Sequence, residues 1–474
     1  MENTMRKVKI VCTIGPASSS KNTIRQLIRA GMNVARLNFS YGTHEWHKKV
    51  FETLREEAEK HNHTVAILQD LRGLKIRVGS LKGGSVFLRK GTPVFISPRD
   101  IEGDEKTIPI SYPYIIKDAR PGDRILMDDG LLQIKVIEKS KGGIKAKVIE
   151  GGLLKENKGV NLPGIRISAS TFTEKDKEDL AFGLSIGVDY IAMSFVRSKE
   201  DIEQVKGWLK RHNATVPVIA KIEKPQALEN IDGILDASDG LMVARGDLGV
   251  EVSPEEVPLI QKALIQKANR AMKPVITATQ MLESMTEHMR PTRAEATDVA
   301  NAVLDGTDAL MLSAETATGK YPIDALKMMD RIIRYTEAKG QGIQNPMFAT
   351  TGKFSEAVAD AACRASADIK AKALVAFTHS GFTALLASKF RPPVPVIAFT
   401  TMENTCKRMA LYWGVIPYIM KPLSSTDEMI IEVEKALLKK GLARRGDSIV
   451  IIASSPLTLG GKTNFMKLHR IENT

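Results

Sequence analysis

Residues 240–251 read GLMVARGDLGVE, and this short stretch contains the pattern on which the fold depends. An apolar run from Leu241 to Ala244 stops abruptly at Arg245-Gly246-Asp247, which predicts a buried strand that ends in a glycine and an acid. Similar runs recur along the chain, and most are followed by an amphipathic helix. The eight runs are KVKIVCTIGP, NVARLNFSYG, TVAILQDLRG, VDYIAMSFVR, VPVIAKIEKP, DGLMVARGDL, KPVITATQML and TDALMLSAET.

Continuously apolar strands that alternate with helices are typical of a parallel sheet. Eight such units predict an α/β fold of the (β/α)8 TIM-barrel type, whose active site lies at the C-terminal ends of the strands. Asp247 follows such a strand end. The same position is predicted for Arg36, Asp70, Arg197, Glu223, Thr279 and Glu315.

The rhythm of strand and helix breaks between the third and fourth runs. Residues 72–158 carry short β-like segments and Gly-rich turns with no convincing helix, which predicts a small inserted β-barrel domain. Because the insertion lies in a βα loop, it is placed to act as a lid on the active-site face. A doubly wound α/β pattern begins at 337. The predicted domains are a catalytic barrel (1–71 and 159–336), an all-β lid (72–158) and a C-terminal α/β regulatory domain (337–474).

The composition indicates a soluble globular protein of two or three domains, with 474 residues of which 43% are hydrophobic and 26% charged. Three cysteines lie far apart and match no metal spacing, which favours a reducing compartment. The N-terminal stretch is interpreted as a first strand rather than a signal peptide. No apolar run approaches the roughly 18 residues of a membrane span.

The net charge of +13 is consistent with a generally cationic surface, with a polyanionic small substrate or with nucleic acid. Only 5% of the residues are aromatic, and no basic run is interleaved with aromatics that could stack on bases. Among the specific partners, a phosphorylated metabolite is therefore favoured over nucleic acid.

The stretch AKIEKP places Lys221 and Glu223 two residues apart on a strand, so both side chains are predicted to share one face. Asp247 lies one βα unit further on, which brings two carboxylates to neighbouring strand ends. Two hard oxygen ligands with open positions suit Mg²⁺, and Lys221 would lie beside the metal near a phosphoryl group. The alternatives are a buried Lys–Glu ion pair and, for ARGDLG, a capped strand-to-helix turn.

Two further stretches carry candidate phosphate-binding side chains. RLNFS places Arg36, Asn38 and Ser40 on one face, and arginine grips phosphate through paired hydrogen bonds, although a structural salt bridge is the alternative. In the C-terminal unit the loop THSGFT, with Thr378, His379, Ser380, Gly381 and Thr383, lies between a strand and a helix. It is a candidate phosphate loop, and helix capping alone would also explain it.

Along almost its whole length the chain resembles pyruvate kinases. The resemblance is carried by CTIGPAS, AGMNVARLNFS, KGVNLPG, AKIEK, MVARGDLGVE, TATQMLESM, PTRAEATDVANAV and LSAETATGKYP, in this order. It implies phosphoryl transfer from phosphoenolpyruvate to ADP, which yields pyruvate and ATP as the final step of glycolysis. It also implies a cytoplasmic, allosteric homotetramer without membrane or nucleic-acid partners.

The resemblance also implies roles for individual residues. Glu223 and Asp247 would hold Mg²⁺, for which Mn²⁺ can substitute; Lys221 and Arg36 would stabilise the transferred phosphoryl group. Gly246, Asp247 and Thr279 would bind substrate, and Thr279 and Ser313 would route a proton to the enolate. The nucleotide region would contain Asn38, Ser40, Arg77 and Lys158. Phosphoryl transfer needs this positioning and charge neutralisation more than covalent help.

Departures from the usual family pattern lead to further expectations. Lys75, in DLRGLKIR, stands where many members have an acid that helps to hold potassium, so the chain resembles the potassium-independent branch. Tyr41 replaces a common histidine, and the chain is expected to lack the extra C-terminal domain of some bacterial relatives. The THSGFT loop and the later SSPLTLGG loop (454–461) resemble the pocket for a sugar-phosphate or nucleotide effector.

Two other classes of function were weighed against the kinase. A magnesium-enolate lyase would use the same carboxylates without a nucleotide, whereas Arg77 and Lys158 at the lid hinges favour the kinase. A non-catalytic protein that binds nucleic acid through its basic surface would show salt-sensitive affinity, but it would leave the strand-end residues unexplained.

Overall fold

The computed structural model describes residues 5–340, 352–423, 425–454 and 462–472. The chain begins with three strands that alternate with two helices. Each helix is capped by a hydroxyl: Ser20 accepts from the N–H of Thr23, and Thr43 accepts from the N–H of Trp46. These elements are β1 (Lys9–Ile14), α1 (Lys21–Arg29), β2 (Val34–Asn38), α2 (His44–Lys60) and β3 (Ala66–Asp70).

The next segment is predominantly β, as predicted for 72–158, but it also contains a short helix and a 3-10 turn (Lys82–Gly84) that the sequence analysis did not predict. Its strands form one six-stranded sheet, in the order β11-β7-β8-β9-β5-β6, and one two-stranded sheet, β10-β4. The elements are β4 (Ser85–Leu88), β5 (Pro93–Ser97), β6 (Thr107–Pro109), α3 (Ile115–Asp118), β7 (Arg124–Met127), β8 (Leu132–Ser140), β9 (Gly143–Glu150), β10 (Gly152–Lys155) and β11 (Val160–Asn161).

Five further strands complete the barrel and alternate with helices. The elements are α4 (Glu174–Ile186), β12 (Tyr190–Met193), α5 (Lys199–Arg211), β13 (Val218–Ile222), α6 (Pro225–Glu229), α7 (Ile231–Ala237), β14 (Gly240–Ala244), α8 (Arg245–Glu251), α9 (Val257–Arg270), β15 (Val275–Ala278), the 3-10 turn Glu283–Thr286, α10 (Arg293–Leu304), β16 (Ala309–Leu312), α11 (Ala314–Ala317) and α12 (Pro322–Lys339). Capping boxes start α4, α5 and α10.

The eight predicted strands close into one parallel barrel, in the order β1-β16-β15-β14-β13-β12-β3-β2. The predicted TIM-barrel fold class is therefore confirmed. The continuous apolar runs are explained by burial on both faces, since every residue of β1, β3, β13 and β14 is buried. All strands point the same way, so the residues that follow them meet at one end of the barrel.

The C-terminal segment forms a five-stranded sheet in the order β19-β18-β17-β20-β21, in which only β21 runs antiparallel to its neighbour. Strands β17, β18 and β20 were predicted, whereas β19 and β21 were missed. The elements are α13 (Phe354–Asp368), β17 (Ala373–Phe377), α14 (Phe382–Lys389), β18 (Val396–Thr400), α15 (Glu403–Met409), β19 (Val415–Ile419), α16 (Thr426–Lys439), β20 (Ser448–Ala453) and β21 (Phe465–Arg470). The residue numbers given for the domain boundaries stay predictions.

This C-terminal sheet packs under the end of the barrel opposite the strand ends that carry the candidate site. Lys9, at the start of β1, donates to the Val415 carbonyl at 2.7 Å. The Tyr190 hydroxyl, at the start of β12, donates to the Arg408 carbonyl at 2.8 Å. Just before β16, Asp308 forms a buried ion pair with Lys389 at 2.5 Å. The C-terminal ends of the barrel strands are thus left free. None of the helices in the described ranges is long and apolar enough to cross a membrane.

Lys9 gives a prediction about how stability depends on pH. Burial, with a further contribution from Arg6, lowers the pKa of Lys9 to about 7 from the ordinary 10.5. Above about pH 7 the folded protein releases this proton while the unfolded chain keeps it, so this contribution to stability rises with pH up to the unfolded pKa. Lys9→Met should lack it. The difference in unfolding free energy, wild type minus Lys9→Met, should be flat below pH 7 and rise by about 1.4 kcal/mol per pH unit above it.

Denaturant unfolding of both proteins from about pH 6 to pH 9 measures this difference, and Lys21→Met, at an exposed lysine, is the control. A Lys9→Met difference that stays constant across the range would contradict the assignment.

Candidate active site

Lys221 is the centre of a buried charged cluster at the C-terminal end of the barrel. Its Nζ lies 3.2 Å from Asp70 Oδ1 and 2.9 Å from Glu223 Oε1, and it donates to Ser194 Oγ at 2.7 Å. Asp70 ends β3, Ser194 follows β12, and Lys221 and Glu223 lie in and just after β13. Three neighbouring strands therefore meet at one ammonium group. Lys221 and Glu223 share one face, as predicted, and the buried ion pair that the sequence analysis kept as an alternative is present.

The balance of charge in this cluster keeps Lys221 protonated. Burial works against its ammonium form, but Asp70 and Glu223 raise the pKa of Lys221 above the ordinary value. Burial would likewise raise the pKa of Asp70, yet Lys221 and Arg36 lower it. For Glu223 burial and the nearby Asp247 outweigh Lys221, and the pKa of Glu223 is raised. Three carboxylates face two cations, so the cluster carries excess negative charge.

Arg36 bounds the cluster on its other side. Its Nε donates to Asp70 Oδ2 at 2.7 Å and its Nη1 donates to Thr13 Oγ1 at 2.9 Å, while only 9% of the residue is exposed. The salt bridge that the sequence analysis kept as an alternative is therefore present. It does not exclude a binding role, because the guanidinium also lines a cavity at this end of the barrel.

Asp247 and Thr279 form the more open part of the site. Asp247 lies in the first turn of α8 and is half-buried. Thr279 follows β15 with φ of +71°, a left-handed conformation that strains a β-branched residue by about 1–3 kcal/mol. The strain is held by a hydrogen bond of 2.7 Å from the Gly246 N–H to Thr279 Oγ1. A Cβ at Gly246 would lie 3.3 Å from that oxygen, which explains the glycine.

A cavity of about 520 Å³ adjoins the cluster beside Arg36. Two predicted residues, Asn38 and Ser313, line it, together with the aromatic side chains of Tyr41 and Trp46. Ser313 Oγ is buried without a hydrogen-bond partner among the described residues, and the Ser313 N–H donates to Glu315 at 2.7 Å. Ser40 lies nearby, where its N–H donates to Asn38 Oδ1 at 3.1 Å. The cavity has the apolar walls and few polar groups of a ligand pocket.

Lys75 and Arg77 lie where the chain enters the inserted β segment, and Lys158 lies where the chain leaves it. Arg77 donates to the Asn157 carbonyl at 2.7 Å, and its backbone forms a β-bridge with Gly159. Lys158 forms an ion pair of 2.7 Å with Asp128, which raises the pKa of Lys158. Lys75 Cε lies 4.0 Å from the Cβ position of Gly159, and Lys75 forms no ion pair with a described residue. These three residues lie at the junction between the barrel and the inserted segment.

The chemistry of the cluster fits a divalent cation. Within the described ranges no group of three or more His, Cys, Asp and Glu side chains is arranged to hold a metal, so the candidate ligands are a pair of carboxylates. Glu223 Oε1 is buried and accepts no hydrogen bond of good geometry, although Lys221 lies close to it. A hard cation that keeps open positions for water and substrate matches these two oxygen donors.

The candidate effector loop lies apart from this cluster, in the C-terminal segment. The Gly381 N–H donates to Thr378 Oγ1 at 2.9 Å, and Gly381 has φ of +89° just before α14. His379 and Ser380 are exposed, whereas Thr383 is buried against Thr463, with 2.7 Å between the hydroxyls. The capping geometry kept as an alternative is thus present. Residues 455–461 of the SSPLTLGG loop lie outside the described residues.

The sequence analysis missed some members of the site. It did not select Ser194, the first polar residue after the apolar strand β12, or Thr13, which lies within β1. Two of the residues predicted at strand ends bind backbone groups. Arg197 donates to the carbonyls of Ile167 and Ala169, and Glu315 accepts from the N–H of Leu282.

Comparison with known proteins places this geometry in a family. Residues 5–326 match the family model "Pyruvate kinase, barrel domain", and residues 356–469 match "Pyruvate kinase, alpha/beta domain". A pyruvate kinase of Sporosarcina psychrophila is 47% identical over 476 aligned positions, which cover 98% of this chain and 81% of that protein. One from Geobacillus stearothermophilus is 45% identical and covers 99% of this chain and 81% of its own length.

The fold is also similar to that of a solved pyruvate kinase structure. A crystal structure of a pyruvate kinase from Cryptosporidium parvum superposes with a TM-score of 0.92 at 36% identity, over 98% of this chain and 96% of that one. The likeness therefore extends over both the barrel and the C-terminal sheet.

Ser194 allows a test of how the cluster is built. Its hydroxyl donates to the Leu71 carbonyl at 2.7 Å and accepts from Lys221, and it is buried. Ser194→Ala should lower the free energy of unfolding by about 1–3 kcal/mol, the cost of leaving buried polar groups unpaired. Ser185→Ala is the matched control, because Ser185 makes a similar bond to a carbonyl at an exposed position. Denaturant unfolding measures both, and equal small effects would show that the Ser194 bonds contribute nothing.

Proposed function

The chain belongs to the pyruvate kinase family and transfers a phosphoryl group from phosphoenolpyruvate to ADP, and we propose that Lys221 and Arg36 carry this transfer beside a divalent cation. The observation that carries the proposal is the ammonium of Lys221, held at 3.2 Å from Asp70 and 2.9 Å from Glu223 at neighbouring strand ends. A permanently charged lysine in a dry site stabilises negative charge that develops on a phosphoryl group.

Lys221 and Arg36 approach the transferred group from different strands. Both are anchored through Asp70, which accepts from Arg36 at 2.7 Å and faces Lys221. The shared carboxylate fixes the spacing of the two cations before substrate arrives. Because the cations are already oriented, little reorganisation accompanies the transfer.

Glu223 and Asp247 would hold the cation, which we propose to be Mg²⁺, with Mn²⁺ as a substitute. When bound, the ion neutralises charge on the phosphoryl group and orients the oxygens of phosphoenolpyruvate. The proposal is supported by the surplus of carboxylates over ammonium and guanidinium groups, and by the buried Glu223 Oε1, which lies 2.9 Å from Lys221 but accepts no hydrogen bond of good geometry.

Gly246, Asp247 and Thr279 would bind phosphoenolpyruvate on the open side of the cluster. The absence of a side chain at Gly246 lets substrate approach the backbone. Thr279 and Ser313 would deliver the proton to the enolate of pyruvate through water. Ser313 lines the cavity, and its buried Oγ has no hydrogen-bond partner among the described residues, which supports its part in this relay.

The nucleotide would occupy the cavity beside Arg36. Asn38 lines this cavity, and Ser40 donates its backbone N–H to Asn38 Oδ1. Arg77 and Lys158 lie at the junction with the inserted segment, from where they would reach the phosphates when the segment closes as a lid. Tyr41 and Trp46 supply apolar surface for the base. ADP would have to compete with Asp128 for the ammonium of Lys158.

We propose that Lys75 removes the requirement for potassium, because its ammonium supplies a fixed positive charge at the hinge. Its freedom from ion pairs with described residues supports this role. We also propose a cytoplasmic homotetramer with a phosphorylated effector at the THSGFT loop. Three buried free cysteines fit a reducing compartment, and exposed apolar side chains such as Leu259 and Leu468 fit subunit interfaces.

Replacement of Lys221 tests the central role. Lys221→Met should lower kcat for pyruvate formation by about 10²–10³-fold, the scale for loss of one transition-state donor. Lys206→Met, which breaks a half-exposed ion pair with Asp239, should leave kcat unchanged. A coupled assay with phosphoenolpyruvate and ADP measures both variants once circular dichroism shows that they are folded. Near-normal turnover in Lys221→Met would remove Lys221 from the transfer.

The role of Lys75 predicts how the enzyme responds to salt. The wild type should show no activation by K⁺ when ionic strength is held constant with a tetramethylammonium salt. Lys75→Glu should acquire K⁺ activation. The variant loses the positive charge of the Lys75 ammonium and gains a carboxylate that can bind K⁺ in its place. Lys82→Glu, at an exposed lysine of the inserted segment, is the control. Strong K⁺ activation of the wild type would refute the proposal.

A further inference from the structure

A second buried ion pair lies directly beside the catalytic cluster, at the C-terminal end of α8. Lys224 Nζ lies 2.6 Å from Glu251 Oε1, with 9% and 1% of the two side chains exposed. The same carboxylate oxygen accepts from Asn161 Nδ2 at 2.9 Å. Glu251 Oε2 is buried and has no hydrogen-bond partner among the described residues. We refer to Asn161, Lys224 and Glu251 as the hinge clamp.

The three members of the hinge clamp lie on different structural elements: β11, the residues after β13, and α8. Asn161 ends β11, which pairs with β7 of the six-stranded sheet in the inserted segment. Lys224 directly follows Glu223. Glu251 lies four residues after Asp247 in the same helix, so the two side chains lie on one face of α8. The clamp therefore connects the inserted segment with the elements that carry both candidate metal ligands.

Further contacts reinforce this connection. The turn after β7 reaches α8, where the Cβ position of Gly130 lies 3.7 Å from Val250, the neighbour of Glu251. Lys224 Nζ lies 5.7 Å above the ring of Phe195, whose N–H donates to Glu223 Oε2 at 2.6 Å. Phe195 has φ of +56°, so its backbone is held in a strained conformation while it orients Glu223.

We propose that Glu251 is a positioning residue that couples the placement of the inserted segment to the geometry of Glu223 and Asp247. The inference rests on the proposed metal-binding role of those two carboxylates. A buried carboxylate is costly unless its hydrogen bonds are made, and Glu251 makes them to two separate elements at once. When β11 moves away, Glu251 loses the amide of Asn161. Lys224 is then its only described partner. Helix α8, which carries Asp247, and Lys224, which follows Glu223, are both held less firmly.

Direct metal binding provides a test that does not depend on turnover. Asn161→Ala removes one donor at a half-buried position, and the double variant Lys224→Met/Glu251→Gln removes both charges so that neither is left unpaired. Both should weaken Mn²⁺ binding to the substrate-free protein by about 10–100-fold in calorimetric titration, as expected for loss of groups that orient ligands. Hydrogen exchange should become faster in β7 and β8, because the clamp no longer retains the inserted segment.

A matched control separates coupling from lost stability. Arg55→Met breaks a pair of 2.7 Å with Asp189, a carboxylate as buried as Glu251 that lies just before β12, at the opposite end of the barrel. It should lower the melting temperature and leave Mn²⁺ affinity and exchange in β7 and β8 unchanged. If the clamp variants behave as Arg55→Met does, the clamp is only a packing contact and the proposal is wrong.

Glu223→Ala distinguishes failure of this inference from failure of the site assignment. Weakened Mn²⁺ binding in Glu223→Ala together with normal binding in both clamp variants would reject the clamp alone. Unchanged Mn²⁺ binding in Glu223→Ala would reject the metal site and, with it, the coupling. Weakened binding in Glu223→Ala and in both clamp variants, with Arg55→Met unaffected, is the expected result.

Discussion

The ammonium of Lys221, held between Asp70 and Glu223, is the interaction on which the rest of the site depends. Two carboxylates in a closed barrel end repel each other strongly unless a cation lies between them. Lys221 supplies that cation, and Asp70 in turn fixes Arg36. Removal of the ammonium would therefore change the positions of Asp70, Glu223 and Arg36 as well as the charge of the site. The same side chain both holds the site together and is proposed to bind the substrate.

The barrel lowers the conformational entropy that is lost in ordering this site. Parallel strands deliver Asp70, Ser194 and Lys221 to one end without any loop to order, because each side chain lies within or next to a strand that is buried on both faces. The inserted segment leaves and rejoins the barrel where Arg77 and Gly159 form a β-bridge. The charged cluster is therefore built on the barrel strands, and the inserted segment is connected to them at one narrow junction.

The barrel strands and many of the site residues could be predicted because they follow from local patterns in the sequence. All eight barrel strands are apolar runs, and candidate site residues were found at the ends of these runs. Prediction failed for strands and side chains whose role depends on residues that are distant in the sequence. Strand β21 alternates between half-buried and exposed residues at an edge, and β19 contains Pro417, so neither gives a continuous apolar run. Ser194, Lys224 and Glu251 were missed because their roles come from contacts across 27 to 124 residues of sequence.

A comparison of three buried lysines, Lys9, Lys221 and Lys389, shows why Lys221 is suited to catalysis and the other two are not. Burial lowers the pKa of Lys9 to about 7, since its only described acceptor is a carbonyl. Lys389 has one carboxylate, which it shares with Arg391, and its pKa is lowered to about 8. Lys221 contacts two carboxylates, Glu223 and the Asp70 that it shares with Arg36, and Asp247 lies nearby, so its pKa is raised instead. The number of acids around these three buried amines thus decides whether the amine keeps its charge. In the cluster around Lys221 three acids face two cations, so this cluster can both keep an ammonium and attract a metal ion.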